Sequence, residues 1–197
     1  MEWSYLLSVM LFAFTVTITP GPNNLMLTAS GVNFGFARTV PHLLGVTFGY
    51  TLLCIAVALG LGALFVRFPI LHSALKVIGA VYLLYLAWKI AMSGRVVEGS
   101  RNEQPMTFWQ GAVFQLVNPK GWTMAVTAIS AFTVEGEALT ASLIIVVVCL
   151  ALVSLPCCSC WALLGTQIKQ FLTSHRALKI FNYSLASLTA GSVLLII

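Results

Sequence analysis

The polar residues of this chain that could do chemistry gather at two prolines inside otherwise apolar stretches. The first cluster is Thr19-Pro20-Gly21-Pro22-Asn23-Asn24, and the second runs from Gln115 through Asn118-Pro119-Lys120-Gly121. A helix restarting after Pro20, Gly21 and Pro22 would hold Asn23 and Asn24 in its first turn, where free N–H groups and the positive dipole end suit a carboxylate. The two amides add donors and acceptors without a buried formal charge. They could equally cap the backbone groups that the break leaves open. Lys120 is the one basic residue well inside an apolar stretch, at a cost of about 2.5–3.5 kcal/mol on insertion scales. It either attracts a carboxylate or pairs with exposed carbonyls at a helix break. Gln115, one turn before Asn118, can aim its amide at the same place. His42, after Pro41, could exchange protons near neutral pH, or it is a hydrogen-bonded residue near the membrane surface. His72 and His175 fall in connections.

The elements that must position these residues are membrane spans. The chain is 59% hydrophobic and 8% charged, with a mean hydropathy of +0.98, where a soluble domain carries about 25% charged residues. At about 20 residues per crossing, 197 residues hold six helices with short connections. The expected spans are 3–30, 39–66, 70–92, 106–132, 138–166 and 177–197. Pro20 and Pro119, 99 positions apart, then interrupt the first and fourth helices. An interrupted helix in hydrocarbon leaves backbone groups unpaired, so it is tolerated only where it lines a cavity or is buried in protein. Matching interruptions in two halves are the sequence pointer to a solute site in secondary transporters.

The segment 93–105, with Arg95, Glu98, Arg101 and Glu103, divides one polytopic membrane domain into two three-helix halves, 3–92 and 106–197. An odd number of spans per half inverts the second relative to the first. Arg38, Lys89, Arg95, Arg101, Lys169, Arg176 and Lys179 flank alternate connections on one side, against Arg67, Lys76, Glu135 and Glu137 on the other. The positive-inside rule puts the basic side in the cytoplasm and both termini in the periplasm. Met1-Glu2-Trp3 offers no basic leader, so the first helix is expected to stay. Trp3, Tyr85, Trp88 and Trp109 sit where interfacial anchors belong. Gly31-x-x-x-Gly35 and Gly45-x-x-x-Gly49 allow close helix contact, within the bundle or across a homodimer face.

Several chemistries are excluded or disfavoured. No phosphate-binding loop, zinc-protease motif or intramembrane carboxylate pair is present, and the chain has no Asp. The basic residues form no dense patch for nucleic acid. Cys54, Cys149, Cys157, Cys158 and Cys160 all lie in expected spans and read as packing residues. Cys157-Cys158-Ser159-Cys160 lacks the spacing and partners of a metal site, so neither metal nor cofactor is expected. A thiol–disulfide electron carrier would need a cysteine in each broken helix, and the spans with Pro20 and Pro119 contain none. A passive pore or membrane scaffold is the other alternative.

These residues resemble those of a known family. The Thr19–Asn24 stretch is similar to the signature of the lysine-exporter (LysE/RhtB-type) family of bacterial amino-acid exporters. The run from Gly79-Ala80-Val81-Tyr82 to Ala87-Trp88-Lys89 resembles its third-helix motif. Phe108-Trp109-Gln110-Gly111 with Gln115-Leu116-Val117-Asn118-Pro119-Lys120 resembles its fourth-helix motif. The pattern that includes Cys160-Trp161-Ala162-Leu163 is similar to the cysteine/O-acetylserine exporter branch. The resemblance implies export of small amino acids or derivatives across the bacterial inner membrane, driven by the proton gradient. Carried across by position, it implies that Pro20, Gly21, Pro22, Asn23, Asn24, Asn118, Pro119 and Lys120 form the site. His42 and Lys120 are the titratable groups available for proton coupling.

Overall fold

The computed structural model describes residues 2–62, 67–93 and 104–195, which form helices and no strands. Arg95, Glu98, Arg101 and Glu103 of the expected linker lie outside these residues, as do the side chains of His72 and Lys76. The main helices are α1 (Trp3–Ile18), α2 (Pro22–Phe34), α3 (Phe36–Ala58), α4 (Pro69–Met92), α5 (Phe108–Val117), α6 (Pro119–Phe132), α7 (Leu139–Ile168) and α8 (His175–Gly191). Three described helical stretches are long and apolar enough to cross a membrane: Phe36–Ala58, Ser73–Met92 and Gly136–Phe171. The α1–α2 pair passes the same test when taken together, with a bend of 60° between them. Large apolar side chains such as Leu7, Leu11, Leu52, Val81 and Leu152 stand on the outside, as hydrocarbon rather than water demands.

Local chemistry sets the helix boundaries. Pro22 and Pro119 occupy first-turn positions, where the missing N–H costs nothing. Thr107 caps α5 reciprocally with Gln110. α3 stops at Ala58, short of the expected 66, because Gly60 turns the chain at φ 97°. It also starts before the expected Thr39, since Gly35 at φ 82° lets the backbone leave α2 and re-enter a helix at once. Pro41 falls within the first two turns and does not end α3.

α3 and α7 form the spine. α7 packs along α1, α2 and α3, while α3 also packs on α5 and α6; α4 pairs with α8. The closest approaches are backbone on backbone. A Cβ on Gly31 would collide with the Ala162 carbonyl of α7, and one on Gly165 with the Thr28 carbonyl of α2. Gly45 and Gly49 of α3 stand against the Phe108 and Ala112 carbonyls of α5 in the same way. Three of the four spaced glycines, Gly31, Gly45 and Gly49, thus meet backbone within the chain, while Gly35 has nothing within 4 Å of its Cβ position. Farther along α2, Asn33 and Asn182 exchange two hydrogen bonds of 3.0 Å, tying α2 to α8.

Candidate functional site

α1 ends at Ile18 and α2 begins at Pro22, so the carbonyls of residues 16–20 cannot all find helical partners. Side chains take them instead. Thr19 Oγ1 donates to the Val16 carbonyl (2.8 Å), and Asn24 Nδ2 donates to those of Thr17 (2.9 Å) and Thr19 (2.8 Å). Trp161 Nε1, from α7, donates to Ile18 (3.1 Å). Lys120 Nζ, from α6, donates to the Thr19 carbonyl (2.7 Å), Thr19 Oγ1 (2.8 Å) and the Pro20 carbonyl (3.1 Å). Of the two roles that the sequence left open for Lys120, this geometry displays carbonyl pairing, on the break of the other cluster rather than its own. The contact is tight: a Cβ on Gly21 would lie 2.7 Å from Lys120 Cδ.

The interruption between α5 and α6 is narrower, a single residue, Asn118, standing between Val117 and Pro119. Gln115, wholly buried, donates to the Gly111 carbonyl (2.9 Å) and exchanges hydrogen bonds of 2.9 and 3.0 Å with Asn23. Asn118 Nδ2 donates to the same Gln115 Oε1 at 3.2 Å. The structure therefore joins Asn23, Gln115 and Asn118 in one amide cluster, with Asn24 and Lys120 on the first break beside it.

These groups face a cavity of about 370 Å³ lined by residues of α1, α2, α3, α6 and α7 together with Gly21 and Asn118. It takes in Gly21, Asn23, Asn24, Asn118 and Lys120, while Pro20, Pro22, Pro119 and Gln115 are not part of its lining. Three of its buried polar atoms make no hydrogen bond: Thr17 Oγ1, Tyr50 OH (beside the Cys54 thiol) and Asn118 Oδ1. Buried polar atoms are nearly always bonded, so three orphans around one lysine mark a place that can bind a polar solute. Two hydroxyls and an ammonium can donate to a carboxylate, and an amide oxygen can accept from an ammonium.

His42 does not join this group. It lines a separate cavity and is wholly buried, with α5 lying across it at Gly111. Sequence reasoning missed Thr17, Tyr50, Ser154 and Cys158, all of which line the first cavity. Ser154 and Cys158 carried a legible signal, since they flank Pro156 one turn apart on an apolar helix. Tyr50 carried none, because an apolar span hides which of its residues face inward. Among the described residues no group of three His, Cys, Asp or Glu could hold a metal ion.

With the geometry in place, comparison with known proteins is informative. Residues 14–196 match the family model for the LysE type translocator. The chain is 34% identical over 157 residues to the cysteine/O-acetylserine efflux protein of Salmonella choleraesuis, covering 78% of each chain. It is 34% identical over 181 residues to the protein of the same name from Klebsiella pneumoniae, covering 90% of this chain and 89% of that one. The counterpart in Escherichia coli O1:K1 is 32% identical over 167 residues, covering 83% and 84%. No solved structure matches. The extent of these matches, across nearly the whole chain, means that it belongs to the LysE translocator family.

Proposed function

We propose that this protein exports a small amino acid or derivative, of the cysteine or O-acetylserine kind, from the cytoplasm to the periplasm as a proton-coupled secondary transporter. It is a transporter of the inner membrane rather than an enzyme. The observation that carries the reading is the set of unsatisfied polar atoms around Lys120, enclosed by two proline interruptions. The substrate carboxylate displaces a backbone carbonyl from Lys120, whose three N–H donors are all engaged. The substrate ammonium is taken by Asn118 Oδ1 and Thr17 Oγ1. The names of the relatives supply the substrate class.

The architecture that goes with this reading is six crossings: α1 with α2, α3, α4, α5 with α6, α7, and α8. They form two inverted three-helix repeats with both termini periplasmic, and the cavity opens to each side in turn as the repeats rock. The distribution of Arg and Lys supports that orientation. Proton coupling would run through Lys120 or His42, one in each cavity. The test is efflux from proteoliposomes preloaded with labelled cysteine, O-acetylserine, threonine or lysine, with and without an imposed pH gradient. Gradient-stimulated efflux of cysteine or O-acetylserine is expected. Efflux of all four that merely follows concentration would replace the exporter with a pore.

A further inference from the structure

Beyond the Asn23–Gln115 amide pair lies the second cavity, about 410 Å³, whose polar lining includes Ser30, His42, Lys89 and Gln104. Its position follows from register. α2 gives Asn23 and Asn24 to the first cavity and Met26, Ala29, Ser30 and Phe34 to the second; α3 gives Val46 and Tyr50 to the first and His42 to the second. The two cavities share no lining residue; Asn23 lines the first, and its paired amide Gln115, one turn from the Gly111 that packs on His42, ties α2 to α5 beside it.

His42 is the unusual group here. It is 0% exposed, and neither Nδ1 nor Nε2 has a hydrogen-bond partner. A buried polar ring left unpaired is costly, and this one borders open space. Lys89 reaches the same space from the last turn of α4, its ammonium 6.0 Å from the Tyr85 ring centre. Among the described residues no carboxylate pairs with it. Met26, Leu86 and Ile90 give the cavity apolar walls. A cation and an imidazole facing one small apolar-walled space complement a zwitterion: Lys89 takes the carboxylate, and a His42 ring nitrogen accepts from the ammonium.

We propose that this cavity is a second binding place for the exported amino acid, on the side of the Asn23–Gln115 pair away from Lys120 and filled first by solute coming from the cytoplasm. The proposal rests on the exporter reading and deepens it. The amide pair then separates the two positions, and its exchange of two hydrogen bonds must break for solute to pass.

Two thiol reporters test it. In a background whose native cysteines are replaced by serine, Ser30→Cys reports on the second cavity, while restoring Cys158 alone reports on the first. The rate of modification by a small methanethiosulfonate is followed by mass in purified protein, with O-acetylserine as the probe ligand. O-acetylserine should slow both reactions, by about fivefold at a concentration of about four times its dissociation constant. Lys89→Met and His42→Ala should remove the protection of Ser30→Cys and leave that of Cys158. Lys120→Ala should do the reverse.

An unprotected Ser30→Cys beside a protected Cys158 overturns the second site and leaves the exporter standing. Protection of Ser30→Cys in a protein that exports nothing would remove the exporter reading and keep the site. If the cysteine-free protein fails to fold, His42→Gln in the native background gives the second measurement. Its half-saturation concentration for efflux should rise about fivefold, and an unchanged value overturns the proposal.

Discussion

The two proline interruptions solve the same problem with opposite means. Between α5 and α6 the partners are local: Trp122 Nε1 donates to Leu116 (2.9 Å), Trp122 N to Asn118 (3.2 Å) and Thr123 Oγ1 to Pro119 (3.0 Å). Between α1 and α2 the gap is wider, and two of its donors come from far along the chain, Lys120 on α6 and Trp161 on α7. A self-contained break holds its shape whatever its neighbours do. A break held by borrowed donors changes when a donor is drawn away, and a carboxylate is a stronger acceptor for an ammonium than a backbone carbonyl. Under the proposed function, the wide break is where binding would be converted into movement, with Lys120 linking the two.

Removing Lys120 should break that link most completely. Lys120 is only partly buried, and hydrogen bonds to a charged group are worth about 1.5–3 kcal/mol, so Lys120→Ala should lower efflux by roughly one to two orders of magnitude while the protein still inserts. Lys120→Arg keeps the charge but spreads it over a planar fork that fits the Thr19 and Pro20 carbonyls poorly, so it should rescue only in part. Efflux from proteoliposomes at matched protein density checks both. Normal efflux by a well-inserted Lys120→Ala would reduce Lys120 to a cap for the break.

Each break has one tightly clamped helix beside it. α2 is clamped on α7 through Gly31 and Gly165, and α5 on α3 through Gly45 and Gly49. Gly31→Ala must push α2 off α7, an overpacking cost of about 1–3 kcal/mol. Gly62→Ala meets nothing closer than 3.8 Å and should be neutral. Thermal unfolding in detergent separates the two, and equal melting points would mean that the tight end of the bundle is not tight.

The Asn23–Gln115 pair joins the two breaks directly. Each hydrogen bond is worth about 0.5–1.5 kcal/mol net, and a double-mutant cycle of Asn23→Ala and Gln115→Ala should show a coupling of about 1 kcal/mol in unfolding free energy. Independent effects would mean that the breaks are not joined there.

Much of this was legible in the sequence, and particular residues show why. The prolines, Asn23, Gln115, Asn118 and Lys120 stand out because polar or helix-breaking groups in an apolar span must have a reason. The structure brings them within one cluster. What stayed hidden depended on direction or on partners distant in the chain. Nothing in Ile18-Thr19-Pro20 says that Trp161 would serve it from 143 positions away. For His42 only the distance from the span end is legible, not the packing of α5 across it. Tyr50 and Cys158 look like any other apolar-span residues until the helices around them are assembled.

The smallest effects separate borrowed from local donors most cleanly. Trp161→Phe and Trp122→Phe each delete one indole donor from a break carbonyl, at 3.1 and 2.9 Å respectively. Each should cost about 0.5–1.5 kcal/mol of stability, so unfolding alone does not distinguish them. Efflux should. Trp161 reaches across from α7 to the Ile18 carbonyl, next to Thr19 and its lysine, so its loss frees the wide break and alters how readily that break reshapes around a substrate. Trp122 serves the narrow break from inside its own helix, and its loss changes nothing that Lys120 touches. A severalfold change in half-saturation for Trp161→Phe, with Trp122→Phe unchanged at equal stability, would establish that the wide break is the one that moves. The same change in both variants would make the two interruptions equivalent and remove the asymmetry from the mechanism.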